Sequence, residues 1–256
     1  MISEQASIHS TAKIADNVTI GPWSLIGPNV SIGEGTVIGS HAIIQEYTRI
    51  GRNNKISSYS LLGGDPQDIS YNGEPTWLEL GDNNVIREYV SIHRGSLKED
   101  GVTVVGSNNL IFAYSHIAHD CVIGDGVTFF NNATLAGHCR VDDNAVIGAF
   151  SAVHQFCHIG QYSFLARAAQ VPKNVPPYLL VVNNPAKPCG LNIVGLKRAG
   201  FSLSIIRQLK KAYSVLYQQN LPLSDALNEL KSMSMDTPEI SNMVALIESS
   251  SRGIVR

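Results

Sequence analysis

The residues best suited to chemistry lie in one stretch of the chain where histidines recur. His119 and Asp120 end the segment HIAHD, and Gly137 and His138 follow them by eighteen residues. Gln155 follows Gly137 by eighteen more. An imidazole can accept a proton from a hydroxyl near neutral pH, and a backbone N–H at glycine can stabilise an oxyanion. If an eighteen-residue period stacks these residues, they favour direct acyl transfer with His119 as the general base.

Other chemistries remain as alternatives. Cys121, Cys139 and Cys157 also lie eighteen residues apart, which predicts a ladder of small buried thiols and not a disulfide or a nucleophile. No GxSxG segment is present. Several histidines on parallel coils can converge on zinc, so a zinc hydratase on this scaffold stays open, as does a purely structural solenoid. We expect neither a metal nor a cofactor.

The element that positions these residues is a six-residue repeat. Glycine often follows the repeated aliphatic position, as at Gly21 and Gly124. A period of six fits neither a helix nor an unbroken strand, so the chain must turn every few residues. The repeated positions are Ile2, Ile8, Ile14, Ile20, Ile26, Ile32, Ile38, Ile44, Ile50, Ile56, Leu62, Leu80, Ile86, Ile92, Val105, Ile111, Ile117, Ile123, Phe129, Leu135, Val141, Ile147, Val153, Ile159, Leu165 and Val171.

Three short strands per coil satisfy this period. Eighteen residues then complete one triangular turn of a parallel β-helix, whose coils stack about 4.8 Å apart. The aliphatic column points inward and forms the core, since burial of each such side chain contributes roughly 1.5–3 kcal/mol before entropy is subtracted. The fold class is therefore mainly β.

Two insertions and a helical end complete the predicted organisation. Residues 63–79 and 94–104 interrupt the repeat and read as external loops, which on a rigid scaffold often carry binding residues. We expect a β-helix over 1–188 and a helical domain over 189–256. Predicted helices cover 191–197, 202–217 with Ser202 as the N-cap, 224–233, and 237–249 with Pro238 in the first turn.

Composition narrows the function classes further. The chain has 256 residues, 19 Lys and Arg against 21 Asp and Glu, and 44% hydrophobic residues, so it is globular and not disordered. Its net charge of -2 argues against nucleic acid as a partner. Residues 1–10 lack a leader pattern and no stretch is apolar enough to span a bilayer. We expect a cytoplasmic protein with no integral membrane segment.

Dispersed motifs then resemble one family across essentially the whole chain. The resemblance is to the UDP-N-acetylglucosamine acyltransferases of lipid A biosynthesis, members of the hexapeptide-repeat acyltransferase superfamily. It is carried by the segments IHRG, GEPT, HIAHDC, NNATLAGH, AVHQFC, VPPY and GLKRAGF.

The resemblance implies a left-handed parallel β-helix with a C-terminal α-helical domain, assembled as a homotrimer. It implies transfer of a 3-hydroxyacyl group from acyl carrier protein to the 3-hydroxyl of UDP-N-acetylglucosamine. His119 would be the general base, Asp120 its partner and Gly137 the oxyanion donor. The implied substrate-binding residues are Asp68, His93, His116, His138, His154, Gln155, Asn192 and Arg198.

Two positions depart from the family pattern. Ser70 stands where a lysine is common, which predicts one fewer charged contact to the substrate. Arg167 stands at the acyl-length ruler, often a glycine, and predicts a preference for shorter acyl chains. A basic set in the C-terminal region is expected to receive the acidic carrier protein by electrostatic steering. It comprises Lys197, Arg198, Arg207, Lys210 and Lys211.

One rival shares the fold and the base. A related hexapeptide acyltransferase would acylate the 3-amino group of a nucleotide sugar. The motifs do not distinguish an attacking oxygen from an attacking nitrogen.

Overall fold

A computed structural model describes residues 1–256 and folds the first three quarters of the chain into a three-sided parallel β-helix. Each coil contributes one short strand to each of three sheets, and neighbouring strands within a sheet come from successive coils. For example, Ile117 pairs with Leu135 and Leu135 pairs with Val153. The predicted eighteen-residue register is confirmed.

The first sheet has nine strands. They are β1 (Ser7–Ile8), β4 (Leu25–Ile26), β7 (Ile43–Ile44), β10 (Leu61–Gly64), β13 (Ser91–His93), β16 (His116–Ile117), β19 (Thr134–Leu135), β22 (Ala152–Val153) and β25 (Gln170–Val171).

The second sheet has eight strands. They are β2 (Lys13–Ile14), β5 (Ser31–Ile32), β8 (Thr48–Ile50), β11 (Trp77–Leu80), β14 (Val102–Val105), β17 (Val122–Ile123), β20 (Arg140–Val141) and β23 (His158–Ile159).

The third sheet has ten strands, and its last pair is antiparallel. They are β3 (Thr19–Ile20), β6 (Val37–Ile38), β9 (Lys55–Ile56), β12 (Val85–Ile86), β15 (Leu110–Ile111), β18 (Thr128–Phe129), β21 (Val146–Ile147), β24 (Phe164–Leu165), β26 (Leu179–Val182) and β27 (Lys187–Leu191).

The core is the inward column of the six-residue repeat. Ile86, Ile111 and Phe129 are fully buried, and the thiols of Cys121, Cys139 and Cys157 lie beside this column, free and buried as predicted. Ile2, at the open end of the prism, is 46% exposed because no coil covers it from below.

Four helices close the other end of the prism: α1 (Ile193–Arg198), α2 (Leu203–Tyr217), α3 (Leu223–Ser234) and α4 (Pro238–Glu248). The Ser202 hydroxyl accepts a hydrogen bond from the Ile205 N–H, as expected of the N-cap. None of the helices has the length and apolar character needed to cross a lipid bilayer.

The helix bounds differ from the predicted ones by one or two residues, and larger differences occur at the two loops and near residue 188. Strands β10 and β11 reduce the first loop to residues 65–76, and β14 reduces the second to residues 94–101. Strand β27 runs across the predicted domain boundary at 188/189 and pairs with β26 of the β-helix. Strands β11 and β14 pair over four residues, whereas most strands of the repeat have two. The six-residue spacing therefore assigned the first residues of both strands to the loops.

Candidate active site

The candidate site forms where the first sheet turns into the second. His119 and Gly137 follow paired strands, so they stand on neighbouring coils. A Cβ atom built on Gly137 would lie 2.6 Å from Cε1 and 2.7 Å from Nε2 of His119. Only glycine lets the imidazole approach this closely. The predicted placement of Gly137 against His119 is therefore present in the structure.

The corner itself requires an unusual backbone. Asp120, His138 and Phe156 have φ values of 59°, 61° and 65°, in the left-handed region. Asp and His are among the side chains enriched there, since short polar groups can bond locally. The sharp turn brings Asp120 back beneath His138 and directs both polar side chains to one edge of the prism.

His119 and Asp120 form a buried pair. Nδ1 of His119 lies 2.7 Å from Oδ2 of Asp120, and the two side chains are 10% and 1% exposed. Burial opposes ionisation of Asp120, yet hydrogen bonds from His119 and Ser96 outweigh it and hold the pKa of this carboxyl below its usual range. An ionised carboxylate accepts a hydrogen bond from Nδ1–H of His119, which leaves Nε2 with the free lone pair.

The Gly137 N–H is the second element of the site. Gly137 is buried, and its N–H donates to no backbone or side-chain acceptor, whereas the following His138 N–H donates to the His119 carbonyl at 3.0 Å. Buried N–H groups without a partner are rare in folded proteins. A substrate oxygen placed beside His119 would supply the missing acceptor.

His138 lies on the other side of the pair. Its ring packs edge-on against His119 with centroids 5.0 Å apart and stacks on Phe156 at 4.5 Å. Nδ1 of His138 is 2.9 Å from Oε1 of Glu99, which is an ion-pair distance without hydrogen-bond alignment. His138 therefore belongs to the same cluster as His119.

His93 and His116 stand next to the cluster on the first sheet. Their rings meet edge-on with centroids 5.1 Å apart. Nδ1 of His93 donates to the Asp65 carbonyl at 2.6 Å, and Nδ1 of His116 lies 2.8 Å from the Ser91 hydroxyl. Burial lowers the pKa of His93 and lowers that of His116 to about 4, so both imidazoles are neutral at pH 7.

Asp68 is held between the two external loops. Nζ of Lys98 lies 2.7 Å from Oδ2 of Asp68, and the Ser70 N–H and hydroxyl each donate to Oδ1 at 2.9 Å. Hydrogen bonds from Lys98 and Ser70 lower the pKa of Asp68 far below its usual range. Ser70 brings no charge, as the sequence indicates, but Lys98 of the second loop places a cation beside Asp68.

The remaining predicted residues lie farther along the prism. His154 and Gln155 are exposed, and Gln155 occupies the Gly137 column one coil on. Arg167 is exposed near the corner between the third and first sheets, with its guanidinium 5.7 Å from the Phe150 ring centroid.

Asn192 directly precedes α1 and Arg198 ends it, and neither forms a hydrogen bond with His119 within the chain. Asn192 caps this helix, where its Oδ1 accepts from the Gly195 N–H at 3.1 Å and its Nδ2 donates to the Tyr162 carbonyl at 2.9 Å. Arg198 is exposed in the last turn. The structure thus joins the histidines and Gly137 but keeps these two apart from them.

The positions of the histidines and cysteines also bear on two alternative chemistries, a zinc site and a cysteine nucleophile. His119, Asp120 and His138 offer ligand atoms within 4.8 Å of one another, so they have donors suited to zinc. The Nδ1 atoms of His119 and His138 nevertheless face the carboxylates of Asp120 and Glu99, respectively, and so already have charged neighbours. Burial raises the pKa of Cys157 to about 12, so this thiol is not a nucleophile at neutral pH.

Sequence reasoning missed the polar residues of the second loop. Ser96, Lys98 and Glu99 contact Asp120, Asp68 and His138, respectively. The preceding Arg94 is 1% exposed and ties the first loop through Asp65 at 2.5 Å and Tyr71 at 2.8 Å. One signal in the sequence could have indicated these residues: the second loop begins directly after the strand that carries His93.

Similarity to known proteins agrees with this geometry. Residues 174–255 match the model described as UDP-N-acetylglucosamine O-acyltransferase, domain 2, and residues 11–46 and 103–137 match the bacterial transferase hexapeptide model. An acyl-[acyl-carrier-protein]–UDP-N-acetylglucosamine O-acyltransferase of Aliivibrio fischeri strain MJ11 is 52% identical, with all of both chains covered. The chain belongs to the UDP-N-acetylglucosamine O-acyltransferase family.

Other members of this family are similarly close. The protein of Pseudomonas savastanoi pv. phaseolicola is 48% identical over 100% of this chain and 99% of its own. The crystal structure of the Francisella novicida UDP-N-acetylglucosamine acyltransferase is 44% identical with a TM-score of 0.99, covering 100% of this chain and 94% of that one. These matches confirm the predicted fold class of a left-handed parallel β-helix with a C-terminal helical domain.

Proposed function

We propose that this chain transfers a 3-hydroxyacyl group from acyl carrier protein to the 3-hydroxyl of UDP-N-acetylglucosamine by direct attack, the first step of lipid A biosynthesis, with His119 as the general base. The chain is an acyl-carrier-protein-dependent O-acyltransferase by its family membership. The observation that supports this mechanism is the contact of His119, paired with buried Asp120, against Gly137 with its free N–H.

The proposed steps use the chain's own groups. Nε2 of His119 takes the proton from the sugar hydroxyl as its oxygen attacks the thioester carbonyl. The Gly137 N–H donates to the resulting oxyanion. The tetrahedral adduct collapses, the C–S bond breaks, and the carrier-protein thiolate receives the proton from His119. Asp120 stays ionised throughout and stabilises the imidazolium.

The other predicted contacts complete the proposal. Asp68 and His93 bind the sugar side of the substrate at the loops, and His116, His138, His154 and Gln155 line the cleft. Asn192 and Arg198 bind the nucleotide, where a guanidinium suits a pyrophosphate. Arg167 limits the length of the acyl chain.

We propose a homotrimer as the working form. In one chain Asn192 and Arg198 make no contact with the His119 cluster, so a neighbouring copy would have to supply them. The edge between the third and first sheets also carries a column of aromatic rings with centroids 4.9–5.2 Å apart, most of them exposed. Exposed apolar surface of this kind favours contact with another chain. These rings belong to Trp23, His41, Tyr59, Tyr89 and Tyr114.

We assign the enzyme to the cytoplasm. Cys121, Cys139 and Cys157 are stacked on successive coils as free thiols, which suits a reducing compartment.

Acyl transfer with purified protein tests the proposal. Carrier-protein thioesters of defined chain length are offered with UDP-N-acetylglucosamine or its 3-amino analogue, and the products are identified by mass. An O-acylated product supports the proposal, whereas product from the amine alone supports the rival N-acyltransferase. Loss of activity on chelation would instead support a zinc enzyme.

The same assay tests Arg167. Each buried methylene contributes about 0.8 kcal/mol, so Arg167→Gly should move the optimum to longer acyl chains. An unmoved optimum would show that Arg167 does not set the length.

A further inference from the structure

The Asp120 carboxylate is held by a residue outside the β-helix. Ser96, in the second loop, donates its N–H to Oδ1 at 2.6 Å and its hydroxyl to Oδ2 at 2.7 Å. We propose that Ser96 is a positioning residue for acyl transfer, which orients Asp120 so that His119 keeps its proton on Nδ1 and accepts at Nε2. This inference rests on the proposed role of His119.

Ser96 supplies most of what holds the carboxylate. Three hydrogen bonds reach the Asp120 side chain, two from Ser96 and one from Nδ1 of His119 at 2.7 Å. Both partners are buried, since Ser96 and Asp120 are each 3% exposed. Hydrogen bonds to an ionised group in such a site are among the strongest in proteins. Loss of the Ser96 hydroxyl would leave the backbone N–H on Oδ1 and only His119 on Oδ2, so the carboxylate would be held less firmly.

The loop that carries Ser96 is closed at its base. The Arg94 N–H donates to the Gly64 carbonyl at 2.9 Å and the Gly95 N–H to the Trp77 carbonyl at 3.1 Å. A side chain at Gly95 would collide with the backbone of Val102, where the chain returns. The outgoing and returning segments of the loop thus meet directly before Ser96. Backbone contacts of Arg94 and Gly95 with the neighbouring segments therefore set the position of Ser96.

The backbone of Asp120 is fixed separately. Its N–H donates to the Thr103 hydroxyl at 2.8 Å. Thr103 therefore holds the main chain of Asp120 while Ser96 holds the carboxylate. The titratable groups that face this carboxylate are His119 and His138, whose Nδ1 lies 3.8 Å from Oδ2, and Glu99 faces His138 in turn.

The test is Ser96→Ala, assayed with wild type and Ser96→Thr. We expect kcat to fall about 10- to 100-fold, the size of effect that misplacement of a reacting group causes, with KM within about twofold of the wild-type value. The acid limb of the kcat profile should move to higher pH, because a less solvated carboxylate holds the imidazolium proton more tightly. Ser96→Thr, which keeps the hydroxyl, should restore both values.

A double-mutant cycle separates positioning from folding. In the Asp120→Ala background, Ser96→Ala should lower kcat less than about twofold, since the carboxylate it orients is gone. Ser151→Ala is the matched control, because Ser151 is a buried serine whose hydroxyl donates to the Ala166 carbonyl at another corner. If Ser96→Ala folds poorly, Ser96→Gly, which likewise removes the hydroxyl and keeps the N–H, replaces it.

The outcomes are distinct for the two proposals. An active wild type with unchanged kcat and acid limb in Ser96→Ala would overturn the role of Ser96 alone. A full additive loss in the Asp120→Ala background would also overturn it. A wild-type protein that transfers no acyl group would overturn the proposed function and this inference together.

Discussion

Two edges of the same prism carry polar side chains on successive coils, and the two sets differ in how far they are hydrogen-bonded. Where the second sheet turns into the third, Asn54, Asn84 and Asn109 are buried on successive coils. Nδ2 of Asn84 donates to Oδ1 of Asn54 at 3.0 Å, and the Asn109 N–H donates to Oδ1 of Asn84 at 2.9 Å. At this edge, the asparagine edge, most of the buried polar groups form hydrogen bonds between neighbouring coils, and Nδ2 of Asn109 is left without a partner.

The edge between the first and second sheets, the histidine edge, leaves groups open. His119, Gly137 and His138 occupy the same kind of corner, yet the Gly137 N–H has no acceptor and Nε2 of His119 has no donor. The coil geometry is the same at both edges. The comparison teaches that the backbone supplies the stacking, while the side-chain choice at a corner decides between stability and chemistry.

Of the substitutions that compare the two edges, that of the glycine at the histidine edge should have the largest effect. In Gly137→Ala the new Cβ would lie 2.6 Å from Cε1 of His119 and displace the imidazole. Alanine keeps the backbone N–H, so the expected fall in kcat of about 10²-fold comes from the misplaced imidazole. Steady-state kinetics with a carrier-protein thioester measures it.

Gly126→Ala is the matched control at the asparagine edge. Its Cβ would lie 2.8 Å from Oδ1 of Asn144, and Gly126 has a φ of 66°, so the variant should lose stability but keep its kcat. Equal losses of kcat in the two glycine variants would remove the distinction between the edges.

The pH dependence of stability should reveal His116, the half-buried histidine beside the site. The pKa of His116 falls from 6.5 to about 4 because burial opposes its charge. In the unfolded chain His116 therefore binds a proton below pH 6.5, whereas in the folded chain it binds one only below about pH 4. This group should cost up to about 3 kcal/mol of unfolding free energy as the pH falls through that window.

Denaturant unfolding between pH 7 and pH 4 checks this sign. His116→Asn should flatten the slope in the window, and His9→Asn, at an exposed position, should leave it unchanged. A wild-type protein as stable at pH 4 as at pH 7 would contradict the prediction.

Asn84→Ala should break the ladder of the asparagine edge. It leaves the Asn109 N–H and the Gly106 carbonyl without the partners that Asn84 provides. The free energy of unfolding should fall by about 2 kcal/mol, the cost of buried polar groups left unpaired, while kcat stays within about twofold. Asn228→Ala, on the exposed face of α3, serves as the control. A large loss of kcat with unchanged stability would reverse the roles of the edges.

Charge reversal away from both edges should have the smallest effect. Lys210 and Lys211 are exposed on α2. Lys210→Glu with Lys211→Glu should raise the KM for the carrier protein several-fold at low salt, and the difference should shrink at high salt. Lys13→Glu, on the N-terminal coils, is the control. An unchanged KM would exclude this surface as the docking site for the carrier protein.

The repeat made the coils predictable, and with them the placement of Gly137 against His119. In the coils without an insertion a six-residue period fixes the strand register, so positions eighteen residues apart meet, as Ile117 and Leu135 do. Across the two loops the paired positions are 30 or 25 residues apart instead. The same reasoning placed Gln155 in the Gly137 column and predicted the burial of Cys121 and Cys139.

The contacts of the two loops were not predictable in this way. Asp68 pairs with Lys98, and Asp120 with Ser96, across stretches that follow no period. Their pairing depends on the path of each loop in space, which a single sequence does not encode in its spacing. The resemblance suggested that Ser70, in place of a lysine, removes one positive charge from the substrate site. The fold brings the positive charge of Lys98 to Asp68 from the other loop.

Transfer kinetics of His119→Ala test the central claim most directly. The variant removes the imidazole and leaves Gly137, the loops and the core in place, so its melting temperature should match that of the wild type. With a defined carrier-protein thioester and UDP-N-acetylglucosamine, we predict a fall in kcat of about 10²- to 10⁴-fold, the contribution of a general base. A folded His119→Ala protein that retains kcat within tenfold of wild type would contradict the account.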